Sequence, residues 1–281
     1  MELEIKNNNY FVADSKLITL VPVKFTSLII LSLCLSLIIA GNTTDKSMES
    51  LPGSSNTERI DSYCTTFYGL LRSEVSKPDY EVFKKALTGF FNLKAGNNIE
   101  KNILTIIDFS ISSRFERMWI IDLNKLEVVH VSLVAHGRNS GEEFAHSFSN
   151  SPSSYQSSLG FYLSGETYVG KNGLSLSLDG VEPGINDKAR ERAIVMHGAD
   201  YVSRDFIHQY GRLGRSYGCP SIPMEDHEKY INLLSGRSCV YIHFPDNKYL
   251  NNSSMFAMEP ALDEMSRFST EPFRKNLALM H

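Results

Sequence analysis

A histidine and a cysteine, each next to a glycine, are the residues of this sequence best placed to perform covalent chemistry. His197 ends the apolar run IVMHG, and Cys219 lies in the later stretch SYGCPSIP. A cysteine attacks a carbonyl group as its thiolate, which a neighbouring imidazole generates by accepting the thiol proton. The imidazole can then deliver that proton to a leaving amine, and a backbone carbonyl near Gly198 could hold its tautomer. The pattern predicts a nucleophile and a general base.

The residues around Cys219 would support such an attack. Gly218 allows close backbone approach, so the amides at this turn could face a developing oxyanion. Pro220 stiffens the turn, and Arg212 and Arg215 bring positive charge just upstream. A simpler interpretation stays open at this point, because a lone cysteine can merely fill a loop and a lone histidine can be satisfied locally.

The elements that must position these residues are mostly β-strands. Strand-like apolar runs occur throughout residues 101–246: ILTIIDFS, RMWIIDL, EVVHVSLVAHG, LGFYLSGETYVG, LSLSLDG, RERAIVMHG and SCVYIHFP. Turn signals stand at DLNKLE and GKNG. Many strands and few helices predict a mainly β fold with α additions, either a sandwich or a barrel-like sheet. The histidine would end a strand, and the cysteine would lie on the loop GRLGRSYGCPSIP.

Helical patterns flank and interrupt these strands. Apolar residues at helical spacing, with Thr57 as a plausible N-cap, predict a small helical lobe over 57–100 without catalytic character. Ser203 could cap the short helix RDFIHQYG, and MEDHEKYINLLSG is amphipathic. The polar residues 247–281 predict a C-terminal tail of low order.

The first 41 residues have the composition of an export segment. Residues 25–41 carry no charged side chain and follow Lys16 and Lys24. A signal peptide and an uncleaved membrane anchor both fit residues 1–41, with a buried helix as the simpler alternative. The polar stretch 42–56 then predicts a linker. An exported chain would work in the periplasm or cell envelope.

Three cysteines follow the apolar segment: Cys64, Cys219 and Cys239. In an oxidising compartment, an odd count leaves one thiol unpaired within the chain. A Cys64–Cys239 disulfide and buried free thiols are both consistent with the sequence.

Charge and missing motifs exclude several classes of function. The formal charge of −4 shows no basic excess, so we expect no nucleic-acid partner. No HExxH or paired CxxC is present, and no glycine-rich phosphate loop, so we predict no metal ion and no cofactor. His208 is a rival base. The polar loop at 155–158 could line a cleft or form a plain turn.

The stretch IVMHGADYVSRDFIHQYGRLGRSYGCPSIP resembles the L,D-transpeptidase catalytic-domain (YkuD-like) family, and more closely its murein L,D-transpeptidase branch. The family carries a His-Gly pair at a strand end and a later Ser/Thr-x-Gly-Cys, which residues 197–198 and 216–219 match in order. The resemblance covers roughly residues 102–245. It implies a YkuD-like β-sandwich with the cysteine in a cleft.

The resemblance also implies roles for individual residues. The family's cysteine attacks the carbonyl of the L-centre of diaminopimelate in a peptidoglycan stem tetrapeptide, and D-Ala leaves. An amine of another stem, or of an anchored lipoprotein, then resolves the thioester. Carried over, Cys219 is the nucleophile, His197 is the general base, and the amides of Gly218 and Cys219 form the oxyanion hole. Ser216 orients the loop and the substrate.

Two positions depart from the family pattern. Tyr217 stands where many members have His or Lys, and Ser221 stands where many have Arg. We therefore expect Arg212 or Arg215 to bind a stem carboxylate through bidentate hydrogen bonds, with Tyr217 also contacting substrate. Two alternatives remain: an L,D-carboxypeptidase of the same fold, and a non-catalytic peptidoglycan-binding module.

Overall fold

The computed structural model of the chain describes residues 54–270. The predicted signal or anchor at 1–41 and nearly all of the linker at 42–56 lie outside the described residues. Within the described part, no helix is both long and apolar enough to cross a membrane.

Two helices begin the described chain. Helix α1 spans Asn56–Leu70, and helix α2 spans Tyr80–Ala95. Ser55 caps α1 in a capping box with Glu58, two residues before the predicted cap, because Ser55 has a glutamate three positions later. Asp79 caps α2, which buries most of its apolar side chains. The predicted helical N-terminal part is therefore confirmed.

Eight strands form one hydrogen-bonded sheet in the order β3-β2-β1-β8-β4-β5-β6-β7. Their bounds are β1 Ile103–Asp108, β2 Met118–Asp122, β3 Glu127–Ser132, β4 Gly160–Gly170, β5 Gly173–Gly180, β6 Val195–Ala199, β7 Ser221–Pro223 and β8 Cys239–His243. The pairs β1–β8 and β6–β7 are parallel, and the other neighbours are antiparallel. The prediction of a mainly β fold with α additions is confirmed.

Four further helices and a 3-10 turn complete the described chain. They are α3 Arg204–Tyr210, α4 His227–Leu234, α5 Asn247–Asn252, the 3-10 turn Ser254–Phe256 and α6 Met258–Thr270. Ser203 caps α3 as expected, and Gly211 ends it in a left-handed conformation.

Residues 247–270 differ from the expected tail of low order, and the rest of that predicted tail, 271–281, lies outside the described residues. Helix α6 packs against α1 and α2, and the Phe268 ring contacts those of Phe67 and Phe91. Its apolar residues recur at helical spacing and are buried: Ala261, Leu262, Met265 and Phe268. The overall polarity of this segment concealed one apolar face.

A buried carboxylate fixes this C-terminal segment to the sheet. Glu182 accepts hydrogen bonds from the backbone N–H of Phe161, from the Tyr249 hydroxyl and from the Ser253 hydroxyl. Burial raises the pKa of Glu182. The segment that follows β8 is thus held by the same residue that supports β4.

Candidate active site

Strands β6 and β7 bring the two sequence-predicted chemical groups together. Their parallel register pairs His197 with Ser221. Cys219 lies two positions before Ser221, and the N–H of Val195 donates to its sulfur at 3.5 Å. Cys219 stands on the loop that leads into β7, and its sulfur lies against the backbone of β6 two residues before His197.

The His197 ring is buried and held at both nitrogens. Nδ1 lies 2.9 Å from the carbonyl oxygen of Gly198, which can only accept, so Nδ1 carries the proton. Nε2 is then an acceptor, and the Ser221 hydroxyl lies 3.0 Å from it. The Tyr201 hydroxyl lies 2.9 Å from Ser221 Oγ. Burial lowers the pKa of His197, so the ring is a neutral base.

Cys219 is a half-buried free thiol. Its sulfur lies 3.7 Å from the carbonyl oxygen of Ala193, to which the S–H donates. Burial raises the pKa of the thiol, while the Val195 N–H and the Arg192 guanidinium act in the opposite direction. The burial effect dominates, so the thiol keeps its proton at neutral pH.

No hydrogen bond joins Cys219 to His197 within residues 54–270. The sulfur bonds to the backbone of Val195 and Ala193, and the imidazole bonds to Gly198 and Ser221. The structure thus brings the predicted nucleophile and base to neighbouring positions and leaves both neutral.

Ser216 organises the turn that precedes the cysteine. Its Oγ accepts from the N–H of Gly218 at 3.0 Å and donates to the carbonyl of Cys219 at 2.6 Å. Gly218 has φ +126°, and a Cβ there would lie 2.8 Å from the carbonyl oxygen of Gln156. The Gly218 N–H is occupied by Ser216, whereas the Cys219 N–H donates to no other residue of 54–270.

Arg212 and Arg215 share one exposed carboxylate. Glu142 lies 2.9 Å from Arg212 Nη2 and 2.5 Å from Arg215 Nη1. Arg215 Nη1 also donates to the carbonyls of Arg138 and Gly141. Both arginines predicted to bind a stem carboxylate are therefore already ion-paired, and Arg215 fixes the neighbouring loop.

Tyr217 is 62% exposed beside the cysteine turn. Its ring packs on that of Tyr155 with centroids 4.8 Å apart, and the Arg138 guanidinium lies 5.8 Å from the Tyr217 ring centroid. The predicted polar loop at 155–158 thus lies directly over the cysteine turn.

A family model for the L,D-transpeptidase catalytic domain matches residues 74–243, more than half of the chain. The chain belongs to this family. The resemblance seen in the sequence is confirmed, and the match includes both His197 and Cys219.

Two solved structures of the helical cell shape determining protein Pgp2 from Campylobacter jejuni are also similar. One is 13% identical with a TM-score of 0.33, and covers 57% of this chain and 57% of that chain. The other, of a point mutant, is 12% identical with a TM-score of 0.36, and covers 66% of this chain and 63% of that chain. The match thus spans less than two thirds of Pgp2 in either structure. No curated protein matches the sequence.

Neither the rival base His208 nor His136 makes a hydrogen bond to the thiol in this L,D-transpeptidase domain. His208 is exposed on α3. His136 is buried, and its Nδ1 lies 2.8 Å from Nη2 of the buried Arg117. Burial and the Arg117 charge lower the pKa of His136 to about 3. His136 therefore serves as a buried hydrogen-bond partner of Arg117 and is not available as a general base.

Sequence reasoning missed Arg192 as a residue of the site. Its guanidinium donates to the carbonyls of Ser149 and Gln156 at 2.7 and 2.5 Å, and to the Ser158 hydroxyl at 2.7 Å. It joins the loop before β4 to the region of Cys219. Nothing in the pattern RERA distinguishes this arginine from Arg190, so the sequence carried no signal for it.

A cleft of about 520 Å³ opens where β6 and β7 end. It begins at Ala199 and Pro223, beyond the reactive pair, and neither His197 nor Cys219 lines it. Its acidic lining residues are Glu116, Asp200, Asp205, Glu225 and Asp226. The cleft adjoins the candidate centre and does not contain it.

Proposed function

We propose that this protein is a murein L,D-transpeptidase that uses Cys219 as its nucleophile. The observation that carries this proposal is a half-buried free thiol hydrogen-bonded to the backbone of β6, the strand that holds a neutral, oriented imidazole, in a domain that belongs to the L,D-transpeptidase family. The substrate is a peptidoglycan stem tetrapeptide, as the family resemblance implies.

The first half-reaction forms a thioester. Sγ of Cys219 attacks the carbonyl carbon of the L-centre of diaminopimelate while the thiol proton passes to Nε2 of His197. Nε2 becomes free for this proton when the Ser221 hydroxyl rotates away, and Nδ1–H stays on the Gly198 carbonyl. The carbon–nitrogen bond to D-Ala then breaks, and the imidazolium returns the proton to the departing amine.

The second half-reaction transfers the acyl group. An acceptor amine attacks the thioester carbonyl, its proton passes to the neutral imidazole, and the carbon–sulfur bond breaks. The departing sulfur recovers a proton from His197. A new amide is formed, and the thiol and the neutral imidazole are both restored for the next cycle.

The oxyanion of each tetrahedral intermediate would be stabilised by the backbone at the turn. The N–H of Cys219 is free to donate, whereas that of Gly218 is held by Ser216. Gly218 and Ser216 therefore shape the turn, and the Cys219 amide is the donor available to the developing charge.

The cell envelope is the compartment in which this substrate occurs. An export segment at 1–41 would deliver the domain to the periplasm, as a secreted enzyme or as an enzyme anchored through residues 25–41. Fractionation of cells that produce the full chain, followed by N-terminal sequencing, distinguishes cleavage from anchoring.

The test is product analysis with purified stem tetrapeptides. The wild-type protein should release D-Ala and join the remaining tripeptide to an added amine, and Cys219→Ala should do neither. Release of D-Ala with only hydrolysed tripeptide would identify an L,D-carboxypeptidase. Binding of the peptide without release would identify a non-catalytic module and contradict the proposal.

A further inference from the structure

Besides Arg192, whose guanidinium already donates to Ser149, Gln156 and Ser158, three arginines lie around the cysteine turn, and they differ in how their charge is balanced. Arg212 and Arg215 both pair with Glu142. Arg138 is exposed and makes no ion pair within residues 54–270, and its guanidinium lies 5.8 Å from the Tyr217 ring centroid. Among these three cations, Arg138 is the one that can accept an incoming anion without breaking an existing ion pair.

The backbone fixes Arg138 beside the nucleophile. Its N–H donates to the carbonyl of Ser216 at 2.7 Å. The hydroxyl of Ser157 accepts from the N–H of Gly137 at 3.0 Å and donates to the carbonyl of Gly218 at 3.1 Å. One hydroxyl thus ties together the residue before Arg138 and the residue before the reactive cysteine.

Further contacts hold the same loop and its aromatic neighbour in place. The carbonyl of Arg138 accepts from Arg215 Nη1 at 3.2 Å. Tyr155 has φ +54°, a strained conformation for a residue with a side chain, and it packs its ring on Tyr217. The Arg138 guanidinium lies over the Tyr217 ring, and its N–H groups make no hydrogen bond to another of residues 54–270.

We infer that Arg138, supported by Tyr217, binds the free terminal carboxylate of the donor peptide. A guanidinium fork and a carboxylate form paired, charge-assisted hydrogen bonds. This inference rests on the proposed function and deepens it, since the residue that carries the carboxylate is the one that leaves. This contact makes the site selective for donor peptides that end in a free carboxylate over donors that end in an amide or carry further residues.

The experiment measures binding in the Cys219→Ala protein, so that it does not depend on turnover. Two probes are titrated by calorimetry: a stem tetrapeptide with a free C-terminal acid, and the same peptide as the C-terminal amide. The acid should bind about ten-fold or more tightly than the amide, as expected for a charge-assisted pair. Adding Arg138→Gln should bring the two affinities to within about two-fold.

Matched variants separate Arg138 from its neighbours. Arg114→Gln removes another exposed arginine and should keep the full preference for the acid. Arg138→Lys keeps the charge without the fork and should retain only part of the preference. Glu142→Gln releases Arg212 and Arg215 and should leave the preference within about two-fold of its starting value.

Several results would overturn the inference: equal binding of acid and amide to the protein that retains Arg138, no binding of the acid, or an acid preference that survives Arg138→Gln. A failure of the proposed function shows separately, as a wild-type protein that binds the acid and releases no D-Ala.

Discussion

At the scale of single residues, burial sets the protonation of the reactive pair. It raises the pKa of the Cys219 thiol and lowers that of the His197 imidazole, so the resting site holds a thiol and a neutral base. A thiolate–imidazolium pair would need two charges in a partly dry site. The proton therefore moves when substrate arrives and the developing charge passes to the oxyanion.

This assignment gives a specific pH dependence. Alkylation of Cys219 by iodoacetamide should be slow at pH 7 and rise above the ordinary cysteine pKa of about 8.5. The base form of His197 is present above its pKa, and that pKa is lowered, so kcat/KM for the peptide should fall only below about pH 6.5. Rapid alkylation that is independent of pH between 5 and 8 would contradict a neutral resting pair.

Ser221 is expected to position His197. Its hydroxyl donates to Nε2, which favours the neutral ring, so Ser221→Ala should raise the imidazole pKa and shift the acid limb of kcat/KM upward. Tyr201→Phe removes only the outer hydroxyl and should have a smaller effect. An unchanged pH profile in Ser221→Ala would exclude the positioning role.

The candidate site was only partly predictable from sequence. His197 and Cys219 could be recognised because each stands next to a glycine, and the close backbone approach that glycine permits depends on the local sequence alone. Three other residues of the site owe their roles to contacts with residues distant in the sequence. The partner of Ser221 is His197, 24 positions away; that of Arg192 is Ser158, 34 positions away; and that of Arg138 is Tyr217, 79 positions away. No local pattern distinguishes them from other serines and arginines.

At the scale of elements, β7 shows how a strand arises without a strand-like sequence. Its three residues begin after Pro220 and end at Pro223, so the sequence predicts a loop. Strand β6 pairs with β7 on one side, and Ala135 exchanges backbone hydrogen bonds with Ser221 on the other. Backbone hydrogen bonds from both sides create this strand, whereas the longer strands could be predicted from their apolar sequences alone.

Helix α2 approaches the sheet closely at a glycine. A Cβ at Gly89 would overlap the ring of Phe161 on β4. Gly89→Ala should therefore destabilise the fold by about 1–3 kcal/mol despite the better helix propensity of alanine. Gly69→Ala is the matched control, because nothing lies within 4 Å of the position that its Cβ would take, and it should be neutral or slightly stabilising. Urea unfolding of both variants measures the difference.

At the scale of the whole molecule, the C-terminal helix closes the core of the helical lobe. The polar composition after Asp246 predicted a tail, since composition averages over a helix and hides a narrow apolar face. The contacts of Phe268 with α1 and α2 show that the face is there. The sequence contains the helical period, but its partner surface is visible only in the fold.

This role of α6 can be tested by substitution. Leu262 is 1% exposed, and Leu262→Ala should cost about 2–5 kcal/mol of unfolding free energy through lost burial and a cavity. Glu259→Ala changes an exposed residue of the same helix and should change that free energy by less than about 0.5 kcal/mol. Equal, small effects of the two substitutions would show that α6 is not packed on the lobe.

The most direct test of the account is the intact mass of the protein after brief incubation with a stem tetrapeptide. The wild-type protein should gain the mass of the peptide less D-alanine, and proteolytic mapping should place the adduct on Cys219 and not on the buried Cys64 or Cys239. Cys219→Ala should gain nothing. An adduct that persists in Cys219→Ala, or full turnover by that variant, would contradict the assignment of the nucleophile.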